Sequence, residues 1–219
     1  MVKLPENFSV LKARKIQKFF AEKVLFKEIQ LDLIERVGGV DVSYRKEDAV
    51  AAVAVLDYKT LNVLEVKKTG TKIFFPYVPT LLSFREAPPV FKVFMSLKKK
   101  PDVLLVDGHG IAHPYGCGLA SHVGVVLKVP TVGVAKKLLC GEVGKFLENK
   151  APIIYKDRIV GMALVTKPGT KPIYVSVGNM LTLNQAVEIV QKCVKNNRLP
   201  EPLRIAHLLT KNCNLPFYK

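Results

Sequence analysis

Residues 37–44 read VGGVDVSY, a β-type run that carries a glycine pair and one acid. Residues 49–56, AVAAVAVL, are apolar at every position, the pattern of a strand covered on both faces. After a turn at Lys59-Thr60, residues 62–68 continue as a third strand. Three strands joined by short links predict an antiparallel meander. Working outward, residues 9–36 repeat apolar side chains at spacings of three and four (Ile16, Phe19, Phe20, Val24), which predicts one long helix packed through that stripe. Residues 80–97 have a helical pattern that Pro88 and Pro89 should split into two short helices. A strand at 103–106 ends in Asp107-Gly108, a helix follows at 117–128, and another strand at 130–135. Two or three further strands are expected within 152–177, then helices at 182–196 and 201–211. A meander followed by alternating helices and strands gives an α/β fold, a mixed central sheet with helices on both faces. Ligands in such sheets sit near the carboxyl ends of parallel strands, where Asp107 is placed.

Charge narrows the function. The 219 residues hold 34 Lys and Arg against 18 Asp and Glu, a formal net charge of +16. Both halves are basic, so the folded body attracts a polyanion. The longest apolar run, 49–56, is far too short to span a bilayer. The opening residues MVKLPENFSV lack the apolar core of a secretion signal, so a cytoplasmic protein with no membrane partner is expected. Cys117, Cys140, Cys193 and Cys213 have no CxxC spacing, which removes a zinc ribbon or a dense disulfide scaffold.

Acids are scarce where the strands are densest. Between Glu65 and Glu142 the only acids are Glu86, Asp102 and Asp107, and Asp41 sits alone between Val40 and Val42. A carboxylate on an apolar strand is costly unless an Arg, a backbone donor or a divalent cation pairs with it. Mg²⁺ takes oxygen ligands and uses few carboxylates, as metal-assisted phosphodiester cleavage requires. Glu86 has a second reading: Ser83-Phe84-Arg85-Glu86 matches a helix capping box. Arg85 reads as solvated surface or as a phosphate clamp. In Asp107-Gly108-His109-Gly110-Ile111-Ala112-His113-Pro114 the histidines are four apart, but the metalloprotease glutamate is missing and Gly110 and Pro114 oppose a helix. His113 reads either as a phosphate or water contact or as a structural histidine. His122, in an apolar helix, reads as buried. Lys136 could neutralise a phosphate or serve as surface charge; Lys137 reads as surface. Lys98–Lys100 form a charge run at a helix end. Tyr77, bracketed by Pro76 and Pro79, reads as a core plug or as an exposed aromatic on a stiff loop.

Six motifs in order, VGGVDVSY, FPYVPTLLSFRE, PDVLLVDGHGIAHP, ASHVG, PTVGVAK and RIAHLLT, resemble the endonuclease V family of deoxyinosine-type repair nucleases over roughly residues 9–212. The resemblance implies a ribonuclease H-like fold in a single domain over residues 1–219. It implies that Asp41, Glu86 and Asp107 bind metal, that His207 assists the metal site and that Lys136 is catalytic. Tyr77 resembles a wedge entering the strand beside the lesion. Pro79, Arg85, Gly108, His113 and Gly118 are implied to lie against the substrate; His109 receives no role. The implied cofactor is Mg²⁺, with Mn²⁺ substituting. The implied partner is inosine-containing DNA, with RNA open, cut at the second phosphodiester 3′ to inosine by a monomer. Two rival classes stand beside it: a noncatalytic basic RNA-binding protein, which has no use for the acids, and a resolvase-type nuclease, which has no use for the PYVP loop.

Overall fold

The computed structural model describes residues 9–45 and 48–211; the first eight residues of the leader reading, and Cys213, lie outside them. The elements are α1 (Val10–Glu22), β1 (Arg36–Arg45), β2 (Asp48–Asp57), β3 (Val63–Lys72), α2 (Leu82–Met95), β4 (Val103–Asp107), α3 (Leu119–Leu127), β5 (Thr131–Ala135), β6 (Glu142–Val143), β7 (Lys150–Tyr155), β8 (Arg158–Leu164), β9 (Ile173–Asn179), α4 (Leu183–Lys192) and α5 (Glu201–Lys211). They form a nine-stranded sheet in the order β3-β2-β1-β4-β5-β9-β8-β7-β6. The meander β1-β2-β3 is antiparallel, and β1-β4 and β4-β5 are the parallel pairs.

Alternation along the strands builds two cores. Ala54, Leu56, Val103 and Leu105 face one way, into the layer that holds α4 and Leu203 of α5. Val53, Val55, Leu104 and Val106 face the other way, onto α2 and α3. This is why residues 49–56 are apolar throughout: every one of them is buried.

Several expectations need correction. The helix predicted over 9–36 stops at Glu22. Beyond it the backbone bonds elsewhere: Leu25 N–H donates to Asn179 Oδ1 (2.9 Å), and the Gln185 amide donates to the Ile29 carbonyl (2.6 Å). Tertiary partners outcompete the helical ladder there. The inward stripe of α1 is also different, because Ile16 and Phe19 are exposed while Ala13 and Gln17 are buried. Third, α2 runs unbroken through Pro88 and Pro89. The prolines forgo two helical bonds, but Ala87, Val90, Val93 and Phe94 anchor the helix on the sheet. Fourth, α2 starts at Leu82, so Ser83 is inside the helix and there is no capping box. At the far end α4 stops at Lys192, short of 196, and the two-residue β6 has too little pattern to be read from sequence.

Candidate active site

Strand register assembles the acids. β1 and β4 are parallel with Val40 opposite Val106, so the next residues, Asp41 and Asp107, emerge side by side where β4 ends and β1 runs on along β2 alone. Asp41 is buried and faces α5, where His207 Nδ1 donates to its Oδ2 (2.8 Å) and Thr210 Oγ1 adds a second bond (3.2 Å). Ligand atoms of Asp41, Asp107 and His207 all lie within 4.8 Å of one another. Glu86 enters from the opposite face on α2, buried, and accepts a hydrogen bond from Tyr44 Oη (2.8 Å). Lys136, one residue past β5, forms an ion pair with Asp107. Its carbonyl is held by Arg198 Nη2 (3.0 Å), which also binds the Pro172 carbonyl (2.7 Å).

The electrostatics follow from that crowding. Burial pushes Glu86 up to about 7, and Asp41 and Asp107 push the same way, while the Tyr44 hydroxyl and Arg85 oppose them. Burial and then Asp41 raise Asp107, against the pull of Lys136. Carboxylates that inhibit one another's ionisation become compatible when a cation joins them. The donor set, carboxylate oxygens with one imidazole, fits a hard divalent cation.

All five residues read as catalytic (Asp41, Glu86, Asp107, Lys136 and His207) line one cleft of about 640 Å³. A second pocket of about 190 Å³ adjoins it and shares Leu82, Glu86, Gly108 and His109. Its other walls include Tyr77, His113 and Gly118. Tyr77 is 67% exposed, which removes the core-plug reading. His113 is buried and its Nδ1 accepts from Tyr115 N–H (3.1 Å). Burial, with His109 and Arg14 adding to it, pushes His113 down to about 4, so it meets a ligand as a neutral ring. A Cβ at Gly118 would collide with the His109 carbonyl, so this position needs glycine for close approach. Pro79 and Arg85 line neither of these two cavities: Pro79 is exposed on its loop, and the Arg85 guanidinium lies over Tyr44 at 4.4 Å. His122 is buried among Phe20, Phe84 and Phe91. Sequence reading missed Tyr44, Thr210, Arg198 and His109. Only His109, inside the DGHG run, carried a signal that could have found it.

A mixed sheet with acids clustered where its central parallel strands part, in a basic body, suits a nuclease acting on phosphodiester bonds. The comparisons narrow this. The Endonuclease V family model matches residues 18–208. The chain is 47% identical over 207 residues to Endonuclease V of Thermofilum pendens, covering 94% of this chain and 89% of that one. The structure of Endonuclease V from Streptomyces avermitilis superposes with a TM-score of 0.88 at 35% identity, covering 96% of each chain. That of Ciona intestinalis, in complex with a DNA containing an inosine, superposes with a TM-score of 0.85 at 32% identity, covering 92% of this chain and 96% of that one. The chain belongs to the endonuclease V family, and its fold is ribonuclease H-like. Among the described residues no helix is long and apolar enough to cross a membrane.

Proposed function

We propose that this chain is a Mg²⁺-dependent endonuclease that recognises inosine in DNA or RNA. It cleaves the second phosphodiester bond on the 3′ side and leaves 3′-hydroxyl and 5′-phosphate ends. In this reading residues 1–219 act as one domain and one monomer in the cytoplasm, serving repair of DNA or processing of inosine-containing RNA. The observation that carries it is the pairing of two cavities: a cleft where Asp41, Asp107 and His207 converge within 4.8 Å, and beside it a smaller pocket walled by Tyr77 and Gly118.

The division of labour follows from the positions. Asp41, Glu86 and Asp107 hold the cation, with Mn²⁺ able to replace Mg²⁺. When bound, the cation supplies positive charge to the phosphate and lowers the pKa of an attacking water. His207 and Thr210 fix the orientation of the Asp41 carboxylate through their hydrogen bonds. Lys136 neutralises Asp107 in the resting site and stands beside the phosphate as a second positive charge in the reaction. Inosine differs from adenosine at an edge hidden within a duplex, so reading it requires extrusion. The small pocket takes the extruded base against the backbone at Gly108 and Gly118, with the neutral His113 ring as part of its wall. Tyr77 and Pro79 fill the gap left in the stack, and Arg85 contacts the phosphate backbone.

Cleavage of matched DNA and RNA strands, with and without inosine, in Mg²⁺ or EDTA tests this. Cutting only of inosine-containing strands, at one position and only with the cation, is expected. Equal cutting of ordinary strands would leave a resolvase-type nuclease, and Mg²⁺-independent binding without cutting a bare nucleic-acid binder.

A further inference from the structure

Helix α1 turns polar side chains inward. Gln17 is 1% exposed, and its amide Nε2 donates to two carbonyls from distant parts of the chain, Thr80 and Cys117, each at 2.8 Å. Its Oε1 accepts from Arg14 Nη1 (2.6 Å). Arg14 Nη2 in turn donates to Thr80 Oγ1 (2.8 Å), and its guanidinium lies 3.8 Å from the centre of the Tyr115 ring. Burying an amide this deeply is favourable only when its donors are satisfied, and here both are. Thr80 has φ of 66°, a left-handed conformation that a β-branched residue adopts only when its surroundings impose it.

The two carbonyls belong to the two walls of the small pocket. Thr80 ends the loop that carries Tyr77, and Cys117 precedes Gly118. No other side chain described here binds both. We propose that Gln17, supported by Arg14, is a positioning residue that fixes the width of the base pocket and thereby the enzyme's discrimination between bases. This rests on reading that pocket as the base site. The bonds of Gln17 run to Thr80, Cys117 and Arg14 and to none of the acids, so its effect falls on selectivity rather than on bond cleavage. Displacement of a positioned group by about 1 Å is enough to lose much of a site's rate or specificity.

Gln17→Met tests this, because it keeps side-chain length and buried bulk but removes both donors. Two readouts are taken: hydrogen exchange of residues 74–80 and 115–118, and kcat/KM on single strands carrying inosine or adenosine at one position. Exchange should rise in both segments together, and the inosine-to-adenosine ratio should fall on the order of tenfold. A purely structural role would lower the melting temperature and slow both strands equally, so an unchanged ratio overturns the proposal, as does increased exchange in only one segment. If Gln17→Met does not fold, Arg14→Met takes its place; Arg14 is only partly buried, and a smaller fall in the same ratio is expected. If the wild-type protein shows no preference for inosine, the base reading fails. The exchange result then decides on its own whether Gln17 couples the two walls.

Discussion

Burial and neighbouring carboxylates favour the protonated forms of Glu86 and Asp107, and replacing one acid of the cluster tells what it is for. Asp107→Asn removes a charge from a crowded cluster, partly offset by loss of the Lys136 ion pair. The variant should melt within a few degrees of wild type without metal, and its cleavage in saturating Mg²⁺ should fall by roughly a hundredfold or more. Cleavage near the wild-type rate would sink the metal assignment. His122 offers a separate prediction. Burial pushes this ring down to about 4, from an ordinary value near 6.5. Between those values the unfolded chain is protonated and the folded one is not, so stability is full above pH 6.5 and is lost as pH falls towards 4, by up to roughly 3 kcal/mol. His122→Phe, which suits the surrounding phenylalanines, should remove that share, leaving the losses from His113 and His109 and the opposing effect of the raised Glu86 and Asp107 as they are in wild type. Melting curves at pH 7 and pH 5 check it: the gap between them should narrow in the variant. Residue types at the site were legible because acids are rare in a basic chain. Their partners were not, since Tyr44 reaches Glu86 across 42 positions and Thr210 reaches Asp41 across 169.

Among the elements, the seating of α5 decides whether His207 meets Asp41. Gly39 on β1 lies directly beneath the Pro202–Leu203 backbone, where a Cβ would collide with main-chain atoms that cannot rotate away. Gly39→Ala should therefore lift α5, cost about 3 kcal/mol in urea unfolding, and reduce cleavage even at saturating Mg²⁺. An unaltered urea midpoint with full cleavage would show that α5 is not seated by this contact. The glycine pair was visible in VGGVDVSY, but the helix that lies on it comes more than 160 residues later, and only topology brings them together. The β-meander was legible because apolar continuity marks a doubly covered strand. The reading of 9–36 as one helix failed because spacing alone cannot show that Asn179 and Gln185 would claim its backbone. The loop at 74–80 belongs to this scale too. Tyr77→Ala, at an exposed position, should leave melting unchanged yet weaken binding to inosine in a duplex more than in a single strand, by about tenfold, since only the duplex has a stack to refill. Equal loss on both substrates would refute the wedge.

Across the whole molecule, the net charge of +16 has a direction that composition hides. Asp107 closes β4 at the cleft, whereas Lys98–Lys100 precede its opening residue, Val103. A five-residue strand is roughly 16 Å long, about two screening lengths at physiological salt. That run also has a counter-charge beside it, the Glu65 carboxylate. Glu65 accepts from the Lys98 and Lys99 amides, and Lys100 Nζ bonds the Phe94 carbonyl near the end of α2, where a cation complements the helix dipole. Lys136 stands instead in the cleft wall. The logarithm of the binding constant should fall linearly with the logarithm of salt concentration, with a slope counting the phosphates neutralised. Lys136→Ala should reduce that slope by about one and slow cleavage as well. Lys99→Ala removes the same formal charge from the far end of the sheet, and should change neither the slope nor the rate measurably. Titrations of an inosine-containing strand from about 50 to 200 mM salt, with Ca²⁺ replacing Mg²⁺ to prevent cutting, give both slopes under identical conditions. If the two variants shift the slope equally, the polyanion is held by the diffuse charge of the body, and Lys136 loses its distinction as a phosphate contact.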